Sequence, residues 1–227
     1  MTKQRFGING FTLKWIAMVC MLVDHTGAVL FPQYIQMRMV GRLSFPIYCF
    51  LLVEGAVHTK NIRKYEIRLL AFAFLSEFPF DLAFYTRPDF RHQNVFFTLF
   101  FGLLAVEQYQ KQRENLNSLL TFIISISCMA AAELLNTDYG AAGVIFILLF
   151  YALYQQAVLK QAAFVAVNFL LYGVSIQSYA GFAAFPMLLY NGQKGPSMKY
   201  FFYLFYPLHL LGIYFICKII SWKEEYM

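Results

Sequence analysis

Long apolar runs, broken by short polar segments, make up most of the chain. The clearest breaks are KQRENLNS (111–118), NTDYG (136–140) and YNGQKGPSMK (190–199). Between such breaks the runs predict helices near 11–31, 39–58, 66–85, 94–109, 118–135, 140–156, 159–173, 177–191 and 200–220. A membrane-crossing helix needs about 20 predominantly apolar residues, and most of these runs approach that length. The pattern therefore predicts an all-α, polytopic transmembrane bundle of about nine spans, with eight to ten compatible, forming one domain over 1–227. The stretch 161–190 divides two ways. It is either two short helices broken at Ser175-Ile176-Gln177-Ser178 or one long tilted helix.

Composition narrows this further. Of 227 residues, 60% are hydrophobic and 13% charged, whereas a soluble domain is about half apolar and about a quarter charged. A soluble enzyme, a disordered tail and a DNA-reading domain are excluded on that ground. Nine spans at about 20 residues each consume about 180 residues. No soluble module fits beside the bundle, and any chemistry sits within or at the edge of a bilayer.

The net charge is +6. In a membrane protein this follows from lysine and arginine collecting in cytoplasmic loops that face anionic lipid. With nine spans and a cytoplasmic N-terminus, the inner side receives 12 basic residues: Lys3, Arg5, Lys14, Lys60, Arg63, Lys64, Arg68, Lys111, Arg113, Lys160, Lys194 and Lys199. The outer side receives 6: Arg38, Arg42, Arg87, Arg91, Lys218 and Lys223. With eight spans the ratio is unchanged, so the rule fixes the N-terminus inside and leaves the C-terminus open. The first apolar run carries Asp24-His25 and reads as a retained anchor rather than a cleaved signal. Cys20, Cys49, Cys128 and Cys217 lie in apolar runs without a CxxC spacing and read as small buried residues.

Ionisable residues inside the runs are the informative ones. Each costs at least about 2.5 kcal/mol at the bilayer centre unless it finds a partner or a wet cavity. They are Asp24 and His25 in MLVDHTG, Arg42 and Glu54 in GRLSFPIYCFLLVEGAVH, Glu77 and Asp81 in LSEFPFD, and His209 in FYPLHLLG. A neutral His25 imidazole can take a proton from a nucleophile near pH 7 and return it to a leaving group. Its structural alternative is a histidine bonded to a backbone carbonyl between helices. Asp24 is its neighbour in sequence, but adjacent helical residues do not face each other, so Asp24 is expected to contact another helix.

Glu77 and Asp81 share one helix face, with Pro79 between them. They suit either a substrate amine or an ion pair with Arg42 or Arg68. Glu54 precedes His58 by four residues at the end of its run, where a histidine is usually solvated. Arg42 can bind a carboxylate or phosphate, or snorkel to headgroups. Tyr206 and His209 share a face around Pro207 and suit a ligand contact or a structural polar pair. No HExxH, GxSxG, Walker loop or GxGxxG is present, and the span histidines lack a ligand spacing, so no metal is expected.

Several blocks in order resemble the TraX family of membrane proteins, whose namesake is the conjugative F-pilin acetylase: FTLKWIAMVCMLVDHTGAV (11–29), GRLSFPIYCFLLVEGAVHTKN (41–61), RLLAFAFLSEFPFDLAF (68–84), NVFFTLFFGLL (94–104), LLYNGQKG (188–195) and FYLFYPLHLLGIY (202–214). The resemblance implies transfer of an acetyl group from acetyl-CoA to an amine or hydroxyl of a peptide, glycan or lipid acceptor, a pilin-like protein being one candidate. The family blocks carry these positions, and the roles follow from side-chain chemistry: His25, Asp24, Glu77 and Asp81 are the candidate catalytic residues. Arg42, Glu54, Tyr206 and His209 are the candidates to hold substrate. Lys60, Arg63, Lys64 and Lys111 are the candidates for the CoA phosphates. The partners implied are membrane lipid, acetyl-CoA and that acceptor, with no nucleic acid, in a bacterial plasma membrane. Rival readings are a small ion-coupled transporter, since buried acids and histidines also relay protons, and a non-catalytic membrane assembly factor.

Overall fold

The computed structural model describes the backbone of residues 6–115 and 118–226, with side chains for 6–111 and 118–221. Lys3, Arg5, Arg113 and Lys223, counted above for orientation, lie outside the described side chains. The helices are α1 (Gly10–Val29), α2 (Ile35–Gly41), α3 (Ser44–His58), α4 (Ile62–Tyr85), α5 (Val95–Asn115), α6 (Ser118–Leu134), α7 (Gly140–Ala152) and α8 (Ala157–Tyr172). A 3-10 helix (Ile176–Ala183), α9 (Ala184–Leu188) and α10 (Lys199–Tyr226) complete the order. Among the described residues the extended pairing is confined to two isolated bridges, Ile8 with Tyr190 and Gln93 with Thr137. The all-α expectation therefore holds. Two helical stretches are long and apolar enough to cross a membrane, Ile35–His58 and Lys199–Ser221; α6, α7 and α8 are apolar but shorter.

The chain divides into two compact units, 1–51 with 153–205 and 52–152 with 206–227. In the first unit, Asn9 caps α1 by accepting the Thr12 N–H at 2.9 Å. The helix then runs 20 residues, about 30 Å. α2 packs closely along it, because Gly27 meets Met37 and Gly41 meets the Asp24 side chain where any Cβ would overlap. The run expected as one helix over 39–58 is hinged at Arg42-Leu43. Pro46 has no N–H to give the Arg42 carbonyl, so the ladder breaks there and resumes from Ser44.

The segment expected as a span over 177–191 is not α-helical in its first half. Gly173 ends α8 with a positive φ of 56°. Ser175 then accepts the Gln177 N–H at 3.2 Å, and the Asn168 amide donates to the Ser178 carbonyl at 3.0 Å. These bonds tie the turn back onto α8, which excludes one long tilted helix. The 3-10 helix rises about 2.0 Å per residue, so with α9 the segment advances about 24 Å. That carries the chain back to the start of α1, where Ile8 N–H donates to Leu189 O at 2.9 Å and Gly10 N–H to Gln193 O at 2.7 Å.

In the second unit α5 packs against α4, α6 and α7. Gly102 lets α5 approach Ile147 of α7, and Ala105, Cys128, Ala132 and Val144 form a core of small residues between α5, α6 and α7. Two loops meet at one end of this unit: the Gln93 N–H donates to Asn136 O at 3.1 Å and the Asp138 N–H to Gln93 O at 2.8 Å.

Candidate functional site

The polar residues buried in the first unit gather on Asp24. Arg42 Nη2 donates to Asp24 Oδ1 at 2.7 Å and to Oδ2 at 2.5 Å. Arg38, one helical turn earlier on α2, donates from Nη1 to Oδ2 at 2.8 Å and to the Asp24 carbonyl at 3.2 Å. Arg42 Nη1 also reaches Gln177 Oε1 at 3.1 Å, which brings the 3-10 helix onto the same cluster. Two guanidiniums thus share one buried carboxylate. Bonds of this kind are short and strong, and breaking a buried pair leaves an uncompensated charge. Asp24 faces α2, as expected of the residue beside His25. His25 is buried too, at 9% exposure, and one position further along the helix it points about 100° away from Asp24.

In the second unit the residues expected to act as paired acids form a different arrangement. Glu77 Oε2 accepts the backbone N–H of Asn94 at 3.2 Å and a short bond from its side-chain amide. Asn94 in turn accepts the Phe96 N–H at 3.0 Å and starts α5. Asp81 Oδ2 accepts the Asp89 N–H at 2.9 Å. Among the described residues Glu77 Oε1 and Asp81 Oδ1 have no hydrogen-bond partner, although Asp81 is only 2% exposed. Neither acid pairs with Arg68, whose guanidinium lies 5.1 Å from the Tyr65 ring centroid and donates to Lys64 O at 2.9 Å.

Beyond them, the Arg91 side chain donates to Asp89 at 2.5 to 3.1 Å. This pairing in the 86–94 loop holds the Asp89 carboxyl well below the usual carboxylate range. Tyr206 is buried, with its ring 5.1 Å from Phe96 and 5.7 Å from His209, both edge-on.

The charged residues where α4 begins and α5 ends form a third group. Lys111 Nζ lies 2.9 Å from Glu107 Oε2, and Arg63 Nε lies 4.0 Å from Oε1. Lys60 and Lys64 are exposed. Asn61 caps α4 by accepting the Lys64 N–H at 2.9 Å. Glu66, buried beside them, keeps one oxygen without a partner. His58 is exposed and its Nδ1 sits 2.9 Å from the Glu54 carbonyl, with the Glu54 carboxylate at 3.8 Å. Of the four residues expected at CoA phosphates, Arg63 and Lys111 therefore already face a carboxylate.

Sequence reasoning passed over Arg38, Gln177, Asn94, Asp89, Glu66 and Glu107. Three carried a readable signal. Arg38 and Arg42 are spaced i, i+4, as are Glu107 and Lys111, and Asn94 immediately precedes an apolar run as helix caps do. Gln177, Asp89 and Glu66 carried none, because what surrounds them comes from distant parts of the chain or from an irregular loop.

Over residues 9–217 the chain matches the TraX protein family. The chain belongs to the TraX family. That match takes in every residue of the three clusters. The chain is also similar to the "probable fimbrial assembly protein FimC, serogroup H1" of Dichelobacter nodosus, at 31% identity over 241 residues, covering 91% of this chain and 95% of that protein. A second relative is "uncharacterized protein RP591" of Rickettsia prowazekii, 24% identical over 163 residues, 68% of this chain and 60% of that one. No solved structure matches. TraX membership, with two long apolar helices, points to a membrane protein.

Proposed function

We propose that the chain is a membrane-embedded acetyltransferase that moves an acetyl group from acetyl-CoA to an amine or hydroxyl of a peptide, glycan or lipid acceptor. The observation that carries this reading is His25: a buried imidazole in a TraX chain, on the turn of α1 that Arg38 of α2 and Arg42 just beyond it clamp through Asp24. The clamp fixes the helix that carries the imidazole, so Asp24, Arg38 and Arg42 act as positioning residues. His25 takes the proton from the acceptor N–H or O–H as its lone pair attacks the thioester carbonyl carbon. The carbon–sulfur bond breaks, and the CoA thiolate leaves with the proton that the imidazolium returns.

The fimbrial assembly name of the Dichelobacter relative supports a role in pilus assembly, for which a pilin-like acceptor is the simplest link. It also favours a second reading, a non-catalytic assembly factor. Thermal stabilisation of the purified protein by CoA separates the two, since an assembly factor or an ion-coupled transporter gains nothing from CoA.

The direct test is single-turnover transfer from labelled acetyl-CoA in nanodiscs. His25→Ala is expected to lose at least about 100-fold in rate while binding CoA like the wild type. Wild-type turnover by that variant removes His25 from the mechanism.

A further inference from the structure

In the first unit α8 buries a polar face. Its buried residues are Lys160, Gln161, Phe164 and Asn168. Gln161 and Asn168 lie two turns apart on one side of the helix, about 10 Å along its axis. They are 2% and 0% exposed. Lys160 is answered by the Tyr154 carbonyl at 3.2 Å and by the Phe50 ring, whose centroid is 4.7 Å away. The amides are answered only in part. Among the described residues Gln161 Oε1 and Asn168 Oδ1 accept no hydrogen bond, although buried amide oxygens almost always find a donor and cost free energy without one.

The segment packed on α8 has no donor to spare. It is the 3-10 helix with α9, and its buried residues are Ser178, Ala180, Ala183, Ala184 and Met187. Of these side chains only Ser178 carries a donor, and its hydroxyl is taken by the Gly173 and Ser175 carbonyls, each at 2.7 Å. The Asn168 amide nitrogen donates to Ser178 O at 3.0 Å, which places this side chain between α8 and the 3-10 helix. A face that served packing alone would be apolar opposite alanines.

The polar groups continue to the α1 clamp. Gln177, beside Ser178, accepts from Arg42 at 3.1 Å, and its own Nε2 has no partner among the described residues. Arg42 holds Asp24, the neighbour of His25. Two spare acceptors, one spare donor and the turn that carries His25 thus stand in series. A linear ligand suits such a series if it has two N–H donors and carbonyl acceptors on an otherwise apolar chain.

We propose that this face binds the pantetheine arm of acetyl-CoA, the two amide N–H groups of the arm donating to Gln161 Oε1 and Asn168 Oδ1 and its thioester end lying toward Gln177. This rests on the acetyltransferase reading and supplies the residues that hold the arm on its way to His25. The count of basic residues puts Lys160 and the start of α8 on the cytoplasmic side, the side from which CoA arrives. The wall that yields to the arm is the 3-10 helix, whose hydrogen bonds are poorer than those of an α-helix. An extended acceptor peptide also offers backbone N–H groups, so the test includes one.

The experiment measures binding to the full chain in nanodiscs. The probes are acetyl-CoA, S-acetyl-pantetheine, an analogue of the latter with ester oxygens in place of both amide N–H groups, and a hexaalanine peptide. The variants are Gln161→Met, Gln161→Met/Asn168→Leu, and Gln155→Met at an exposed position as control. The wild type is expected to prefer S-acetyl-pantetheine to its ester analogue by about tenfold or more. Gln161→Met is expected to weaken acetyl-CoA binding about tenfold and to narrow the preference for amide over ester, which a merely structural residue would not change. The double variant abolishes that preference, and the control keeps it. Melting temperatures report whether each variant folds; should the double variant not fold, Gln161→Met carries the test. If the wild type binds no acetyl-CoA, the acetyltransferase reading falls and this site with it. If the wild type binds acetyl-CoA and Gln161→Met binds it equally well with the full amide preference, the site is overturned and the reading stands. If the variants lose affinity for hexaalanine and not for acetyl-CoA, the face belongs to a peptide and the pantetheine assignment is overturned.

Discussion

Asp24 in the first unit and Asp81 in the second are both buried carboxylates in apolar helices, yet they are satisfied in opposite ways. Asp24 has two guanidiniums within 2.8 Å. Asp81 has one neutral backbone N–H, and among the described residues its second oxygen has no hydrogen-bond partner. An anion between two cations needs its charge, because losing it strands the arginines. An anion answered by a single neutral donor gains little from being charged. Residues of one type, at similar burial, are therefore expected to differ in what their removal costs.

The largest effect expected is from Asp24→Asn. It leaves Arg38 and Arg42 facing a neutral amide, and loss of one partner from a buried pair costs about 3 kcal/mol. Thermal unfolding in detergent reads this as a marked drop in melting temperature. A variant as stable as the wild type breaks the comparison at its stronger end. The corresponding Asp81→Asn keeps an acceptor for the Asp89 N–H and removes a poorly compensated charge. Its stability is expected to stay within about 1 kcal/mol of the wild type, or to rise. A loss as large as that of Asp24→Asn shows that Asp81 has a cationic partner after all.

The smallest effect is local and depends on pH. Arg91 depresses the Asp89 carboxyl, so the pair steadies the 86–94 loop at any pH above the unfolded value of about 3.9. That contribution is lost as pH falls through the lower folded value. Hydrogen exchange in residues 86–94 is expected to rise only at the acid end of a pH 2–6 series. Asp89→Asn should flatten the dependence, and a loop that loosens near neutral pH refutes the assignment.

Most of the helical order is legible in the residue pattern. The runs at 66–85, 118–135 and 140–156 lie close to α4, α6 and α7, because apolar length and polar breaks are local properties of the chain. The run at 39–58 was expected as one helix, and the hinge at Arg42-Leu43 went unread although Pro46 lies just beyond it. The run at 177–191 misled because its composition suits a span. Its 3-10 geometry comes from Gly173, Ser175 and Asn168 acting across a turn, which hydropathy does not register. Among the candidate residues, the facing of Asp24 away from His25 followed from helix geometry alone. Its two arginine partners, and the absence of any for Asp81 Oδ1, did not.

The sequence by itself determined that this is an all-helical TraX chain whose few charges within apolar runs concentrate in recognisable blocks. Those follow from residue order, since burial and periodicity are written along one strand of text. Only the tertiary structure decided which charge meets which. Asp24 finds Arg38 and Arg42, Arg42 in turn finds Gln177 although 135 positions separate them in the chain, and Glu77 finds Asn94. Electrostatic energy depends on distance in space, and that distance is set by how the helices and loops pack.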